Sequence, residues 1–203
     1  MALFEGPQVD NRIECIVRIN SIQTSVGLAG IQSVLDSHSP PPALMLPKVR
    51  SPEEIKLLDE LLQESSRDTR LNIIRETNAG READYEIAQA SSRIEALFFG
   101  GVDMAADLRC QNSWEPLLYA RSRVVHAAAA AGIDVIDAPY LNLDDLDGMK
   151  REACLAQELG FSGKGAIHPK QISILNQVFT PTEGEVAYAK KICTPMSQPM
   201  AAS

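Results

Sequence analysis

The chain has 203 residues, of which 45% are apolar and 5% aromatic, and this length is enough for one domain with a sizeable core. Its 19 basic and 27 acidic side chains give a formal net charge of −8, which argues against non-specific binding to nucleic acids or membranes because both are polyanionic. The four cysteines form no CxxC pair, so we expect free thiols in the cytoplasm, with mitochondria as the alternative if the N-terminus is incomplete.

Short apolar runs that predict β-strands alternate along the chain with longer amphipathic runs that predict helices. The strand candidates are residues 15–19, 43–49, 71–76, 94–100, 134–140 and, more weakly, 164–168. The helix candidates are residues 28–35, 82–90, 115–131, 144–159 and 181–192, together with one that begins after Ser51.

Three residues mark helix ends in this pattern. Ser51 is expected as an N-cap because Pro52 and two glutamates follow it, as is typical of a first helical turn. Gly132 and Gly160 follow long helical runs and are expected as C-caps, because glycine adopts the left-handed conformation there without steric cost.

Alternating strands and helices imply a parallel sheet with right-handed crossovers, either as an open doubly wound sheet or as a closed barrel. No GxGxxG motif follows the first strand candidate, which weakens the doubly wound, dinucleotide-binding interpretation. Polar side chains occur near the strand ends, at Arg18, Lys48, Glu76, Asp103 and Asp137. Because all strands of a TIM-type (β/α)8 barrel end on one face, the barrel explains this pattern better.

Two carboxylates follow consecutive strand candidates. Glu76 ends one of them, and Asp103 follows the next one after the pair Gly100 and Gly101, which lets the backbone approach a ligand closely. Two adjacent carboxylates disfavour each other unless a cation lies between them, so the pair indicates a hard divalent metal. The alternatives are a strand-end glutamate in solvent and an aspartate that caps a helix.

Arg18 lies within an apolar strand candidate and therefore needs an anionic partner. A planar guanidinium suits a substrate carboxylate or a developing enolate oxygen. The alternative is a structural ion pair with an acidic residue at a strand end.

Several short motifs also occur in a fixed order between residues 17 and 182. They are 17–20 (VRIN), 46–49 (LPKV), 76–80 (ETNAG), 99–108 (FGGVDMAADL), 119–121 (YAR), 136–140 (IDAPY), 160–171 (GFSGKGAIHPKQ) and 179–182 (FTPT).

Together these motifs resemble the CitE-like branch of the HpcH/HpaI aldolase and citrate lyase superfamily, whose members include citrate lyase beta subunits and other CoA-ester lyases. The resemblance implies a TIM-type barrel, Mg²⁺ as cofactor and a trimer or hexamer of identical chains. By motif position it implies that Glu76 and Asp103 are metal ligands and that Arg18 is the catalytic, substrate-binding arginine. It further implies that five residues lie at the substrate site, namely Lys48, Gly100, Gly101, Tyr140 and Lys164.

The resemblance implies a magnesium-dependent lyase that cleaves a 3-hydroxy-acyl-CoA of the citryl-, malyl- or citramalyl-CoA type to an acyl-CoA and a keto acid. The alternatives are a truncated, catalytically silent remnant that retains the metal site, and an aldolase acting on free hydroxy-keto acids. Six strand candidates instead of eight predict an incomplete barrel without its first two strands. We expect one shortened barrel domain over residues 1–193 and a disordered tail over 194–203.

Overall fold

The computed structural model describes residues 13–193, so residues 1–12 and the predicted tail 194–203 lie outside the described part. Within that range six strands form one parallel sheet. All six correspond to strand candidates of the sequence, each shorter at its C-terminal end. The strands are β1 (Ile16–Arg18), β2 (Ala43–Leu46), β3 (Arg70–Arg75), β4 (Ile94–Phe99), β5 (Asp134–Asp137) and β6 (Gly163–Lys164).

The strand order distinguishes between the two predicted architectures. The sheet runs β1-β2-β3-β4-β5-β6, so each strand pairs with its neighbour in the sequence. A doubly wound sheet would reverse its order at a switch point, whereas a barrel adds each strand beside the previous one. The six strands curl into part of a barrel, and the prediction of an incomplete TIM-type (β/α)8 barrel is confirmed.

Helices follow each strand, as the alternation predicts. The helices at residues 78–81 and 169–179 were not predicted from the sequence. The helices are α1 (Ser25–Leu35), α2 (Pro52–Glu64), α3 (Asn78–Arg81), α4 (Asp84–Ala88), α5 (Gly101–Leu108), α6 (Trp114–Ala131), α7 (Leu146–Leu159), α8 (Pro169–Phe179) and α9 (Glu183–Cys193).

The predicted helix ends are largely observed. Gly132 and Gly160 cap α6 and α7 with φ values of 69° and 110°, in the left-handed region that glycine tolerates. Ser51 occupies the N-cap position of α2 and Pro52 its first turn, but the Ser51 side chain makes no capping hydrogen bond to the helix backbone. In α1 the Thr24 hydroxyl does cap the helix, because it accepts a hydrogen bond from the Gly27 amide at 3.0 Å.

The core lies around the central strands. Both faces of β3 are buried, because one face packs in the barrel interior and the other against the helices. Arg75 faces the helix layer, as alternation predicts, but its charge does not reach the surface. Its guanidinium is instead buried in an ion pair with Asp84 of α4, with 2.6 Å between Nε and Oδ1.

No helix within residues 13–193 combines the length and the apolar composition needed to cross a lipid bilayer.

We expect the substitution Leu97→Ala in β4 to lower the free energy of unfolding by about 2–5 kcal/mol, because Leu97 is 0% exposed and its truncation leaves a cavity. Leu57→Ala in α2 is the control, since Leu57 is 56% exposed and should cost less than about 0.5 kcal/mol. Urea denaturation measures both values, and equal losses for the two variants would contradict this assignment of the core.

Candidate functional site

Polar side chains converge where the parallel strands end. Strands β3 and β4 are direct neighbours, and the Gly100 amide donates a hydrogen bond to the Arg75 carbonyl at 3.0 Å just beyond their last paired residues. The residues that follow these strands, Glu76 and Asp103, are therefore brought to the same end of the sheet.

The carboxyl groups of Glu76 and Asp103 are close enough for the charge of one to affect the ionisation of the other. Burial raises the pKa of Glu76 above its usual range, and the neighbouring charge of Asp103 raises this pKa further. The positive charges of Arg18 and Lys48 act in the opposite direction and lower the pKa of Glu76. The four predicted residues, Arg18, Lys48, Glu76 and Asp103, thus interact electrostatically, with two carboxyl groups close to two cationic side chains.

Gly100 allows this approach of the two carboxylates. A Cβ atom at position 100 would lie 2.4 Å from the Glu76 Cβ and 2.9 Å from Glu76 Oε2. Any larger residue would therefore displace the Glu76 side chain. The next residue, Gly101, begins α5, which carries Asp103 in its first turn.

Lys48 contacts both carboxylates, one through its backbone and the other through its side chain. The Lys48 amide donates to Glu76 Oε1 at 3.0 Å, and its Nζ lies 3.3 Å from Asp103 Oδ1. Lys48 has a φ of 56°, a left-handed conformation that is uncommon for a residue with a side chain. Such backbone conformations persist where surrounding contacts hold them, and they occur often at functional sites.

Arg18 lies at the end of β1 and is exposed to solvent. Together with Asn20, Thr24 and Lys48 it lines a cleft of 480 Å³, which we name the Arg18 cleft. The Arg18 cleft is next to the carboxylate pair, because Lys48 lines the cleft and also contacts both Glu76 and Asp103. An anionic group bound in this cleft would face a guanidinium and an ammonium.

A second cleft, of 330 Å³, begins at the carboxylate pair and extends toward the end of β5. We name it the Tyr140 cleft; Gly100, Gly101, Asp103 and Tyr140 are among its lining residues. The Tyr140 hydroxyl donates to Asp145 Oδ2 at 2.8 Å, and this carboxylate raises the pKa of the phenol. Gly100, Gly101 and Tyr140 thus line the same cleft as Asp103.

The structure does not place Lys164 in the wall of either cleft. Its side chain is fully buried, and its Nζ lies 2.6 Å from Asp137 Oδ2 and 2.7 Å from Glu152 Oε1. Arg121 completes this network through a 2.9 Å contact between its Nε and Asp137 Oδ1, and its guanidinium lies between the rings of Phe99 and Trp114.

Arg121 and Glu152 also line the Tyr140 cleft, although neither was predicted at the site from the sequence. A signal for Arg121 exists in the sequence, because it lies on the face of α6 that also carries Leu117 and Val124, where a charge requires a partner. No comparable pattern marks Glu152, whose partners come from distant segments.

The donor set suits a hard divalent cation. Mg²⁺ is commonly held by one or two protein carboxylates, with water and substrate oxygens in its other positions. Glu76 and Asp103 supply two neighbouring carboxylates that are both contacted by Lys48, and Asp103 also lines the Tyr140 cleft. No group of three or more potential His, Cys, Asp or Glu ligands occurs among residues 13–193.

Comparison with protein families gives a match to the HpcH/HpaI aldolase/citrate lyase family over residues 2–169. Among curated proteins, the chain is 32% identical over 189 residues to the citrate lyase subunit beta of Haemophilus influenzae, covering 89% of this chain and 64% of that protein. It is also 32% identical over 195 residues to the mitochondrial citramalyl-CoA lyase of Rattus norvegicus, covering 88% and 58%. The chain therefore spans about six tenths of the length of these relatives.

Solved structures give the same result for the fold. RipC from Yersinia pestis superimposes with a TM-score of 0.81 at 43% sequence identity, covering 84% of this chain and 79% of that one. CitE from Mycobacterium tuberculosis, solved in complex with magnesium, acetoacetate and coenzyme A, superimposes with a TM-score of 0.73 at 25% identity. That comparison covers 100% of this chain and 74% of the CitE chain.

We expect Glu76 to make the metal-free protein less stable as the pH rises. Because its native pKa is raised, its contribution is fully present below the ordinary pKa of 4.5 and is lost as the pH rises through the native value. The Tm advantage of Glu76→Gln over the unsubstituted protein should therefore grow between about pH 4.5 and pH 8, as measured by calorimetry in the presence of EDTA.

Glu53→Gln is the control for this measurement. Glu53 is exposed, and a hydrogen bond with its own backbone lowers its pKa, with a smaller effect from Ser51. Its carboxylate contributes stability that is present above pH 4.5 and lost as the pH falls below it, so the Tm difference for Glu53→Gln should stay nearly constant between about pH 4.5 and pH 8. A Tm difference for Glu76→Gln that is independent of pH would contradict the raised pKa.

Proposed function

The chain belongs to the HpcH/HpaI aldolase/citrate lyase family, and we propose that it is a magnesium-dependent lyase that cleaves a 3-hydroxy-acyl-CoA of the citryl-, malyl- or citramalyl-CoA type. The products are an acyl-CoA and a keto acid. The observation that carries this proposal is the pair of carboxylates, Glu76 and Asp103, which are both contacted by Lys48 and lie near the charge of Arg18.

The names of the relatives support the reaction class. They include a citrate lyase subunit and a citramalyl-CoA lyase, both of which break a carbon–carbon bond, and CitE was solved with magnesium and coenzyme A. The small acids in these reactions carry a carboxylate, which fits the positive charge of the Arg18 cleft.

Glu76 and Asp103 are the proposed metal ligands. Burial and the neighbouring charge of Asp103 both raise the pKa of Glu76, and a divalent cation held by the two carboxylates would offset their repulsion. When bound there, Mg²⁺ supplies Lewis-acid polarisation of the substrate hydroxyl and of the carbonyl that this hydroxyl becomes. Lys48 holds Glu76 in place through its amide and, with Gly100, fixes the orientation of the carboxylate.

Arg18 is the proposed catalytic and substrate-binding residue. Its guanidinium lies close enough to Glu76 to lower the pKa of that carboxyl, so it also reaches the region where a substrate carboxylate would bind. Cleavage leaves negative charge on the acyl-CoA enolate, and a fixed cation facing the metal site stabilises that charge as it develops.

The remaining predicted residues have different roles in this proposal. Gly100, Gly101 and Tyr140 form the wall of the Tyr140 cleft and contact the substrate. Lys164 acts indirectly, because its fully buried ammonium neutralises Asp137 and Glu152 beneath that cleft. The proposed assembly is a homo-oligomer in a reducing compartment, cytoplasmic or mitochondrial, and the four unpaired cysteines support the choice of compartment.

We expect saturating Mg²⁺, at about 100 times its Kd, to raise the Tm by about 5–10 °C. Glu76→Gln and Asp103→Asn should each abolish most of this rise, because each removes a metal ligand. Asp144→Asn is the matched control, since the Asp144 side chain is 98% exposed and its substitution should leave the rise intact. Differential scanning fluorimetry gives all four values, and an unchanged Tm of the unsubstituted protein would contradict a magnesium site.

We expect the protein with Mg²⁺ to release free acyl-CoA and keto acid from at least one of citryl-CoA, malyl-CoA and citramalyl-CoA. Arg18→Met should lower kcat/KM by about 10²–10³, because it removes a charge that stabilises the transition state. Arg151→Met, on the exposed surface of α7, is the control and should retain activity.

The same assay distinguishes the two alternatives from the proposal. Cleavage of free hydroxy-keto acids without cleavage of their CoA-linked counterparts would indicate an aldolase. A chain that binds Mg²⁺ but cleaves none of these substrates would be a catalytically silent remnant.

A further inference from the structure

The loop of residues 47–49, which follows β2, is held from two sides by consecutive residues of one strand end. Arg75 and Glu76 are neighbours in the sequence, and side chains in an extended segment alternate between faces. The Glu76 side chain lies on the same side as Asp103 and accepts a hydrogen bond from the Lys48 amide at 3.0 Å. Arg75 lies on the helix side and donates from Nη1 to the Val49 carbonyl at 2.7 Å.

Arg75 is itself held in a fixed position. Its Nε donates to Asp84 Oδ1 at 2.6 Å, and both side chains are 1% exposed. A guanidinium has a planar, rigid arrangement of donors, so a carboxylate that fixes one edge also orients the other. Asp84 of α4 thus aims Arg75 at the loop, in a region closed to water.

The loop needs such support because of its backbone. Lys48 adopts a φ of 56°, which a non-glycine residue maintains only when neighbouring contacts hold it. In this conformation the Lys48 amide donates a hydrogen bond to Glu76 Oε1. The carbonyl of the next residue, Val49, accepts a hydrogen bond from Arg75. The positions of the Glu76 carboxylate and of the Arg75 guanidinium are therefore linked through two consecutive residues of the loop.

We infer that Arg75, oriented by Asp84, is a positioning residue for the metal site: it holds the 47–49 loop so that the Lys48 amide fixes the Glu76 carboxylate. This inference rests on the proposed function for its metal readout, whereas its effect on the loop can be measured without metal. Residues that orient a metal ligand from behind contribute about 10–100-fold to metal affinity.

The test compares Arg75→Met with Arg93→Met in the full chain. Arg93, which directly precedes β4, also pairs with a carboxylate and a backbone carbonyl. Its Nε lies 2.6 Å from Asp59 Oδ1, and its Nη1 lies 2.8 Å from the Arg67 carbonyl. Both substitutions remove an ion pair and carbonyl contacts, although the Arg93 side chain is 20% exposed and that of Arg75 only 1%. Only Arg75→Met removes them behind the carboxylate pair.

Two measurements are made on each variant. Titration calorimetry with Mg²⁺ should show the Kd raised by about tenfold or more in Arg75→Met and by less than about twofold in Arg93→Met. Hydrogen exchange without metal should be about tenfold faster at the Lys48 amide in Arg75→Met than in Arg93→Met. If Arg75→Met fails to fold, the double variant Arg75→Met/Asp84→Leu removes both buried charges and serves in its place.

The outcomes separate the inference from the function. A folded Arg75→Met with unchanged exchange at Lys48, or an equal loss of affinity in Arg93→Met, would overturn the positioning role. Absence of Mg²⁺ binding by the unsubstituted protein would refute the proposed function, and the exchange rates alone would then decide whether Arg75 holds the loop.

Discussion

The contact between the carboxyl groups of Glu76 and Asp103 imposes most of the other requirements of this site. Two acids at the ends of adjacent strands repel each other when ionised, and burial of Glu76 increases the cost. Each surrounding feature reduces that cost or makes the approach possible. Lys48 and Arg18 supply positive charge, and Gly100 leaves the space that the Glu76 side chain occupies.

Much of the fold could be predicted from the sequence, since strands β2, β3 and β4 are mainly apolar, as a buried parallel sheet requires. The runs extend past the observed strand ends, because the apolar residues after Leu46 and Asp137 remain buried after pairing stops. The sequence also indicated the carboxylate pair, because parallel strands end on one face and consecutive strands are neighbours in a barrel. This inference uses topology alone and needs no side-chain detail.

The rest of the site depends on contacts that a single sequence does not specify. Nothing local reveals that Lys48 adopts a left-handed backbone, because that conformation is imposed by Glu76 and by the chain after β2. The buried partner of Arg75 comes from a separate helix, so no local pattern in the sequence identifies it. Lys164 was expected at the substrate, yet Asp137 and Glu152 hold it beneath the cleft, and their pairing depends on the packing of β5, β6 and α7.

The stacking of Arg121 between two aromatic rings has a practical consequence. Trp114 is the single tryptophan of the chain, and its indole lies 4.7 Å from the guanidinium carbon of Arg121. Arg121 lines the Tyr140 cleft and pairs with Asp137, so the electric field at this indole depends on the charges around the cleft. We therefore expect the intrinsic fluorescence of the unlabelled chain to change when a charged ligand enters that cleft, so that binding could be followed in real time without an attached dye.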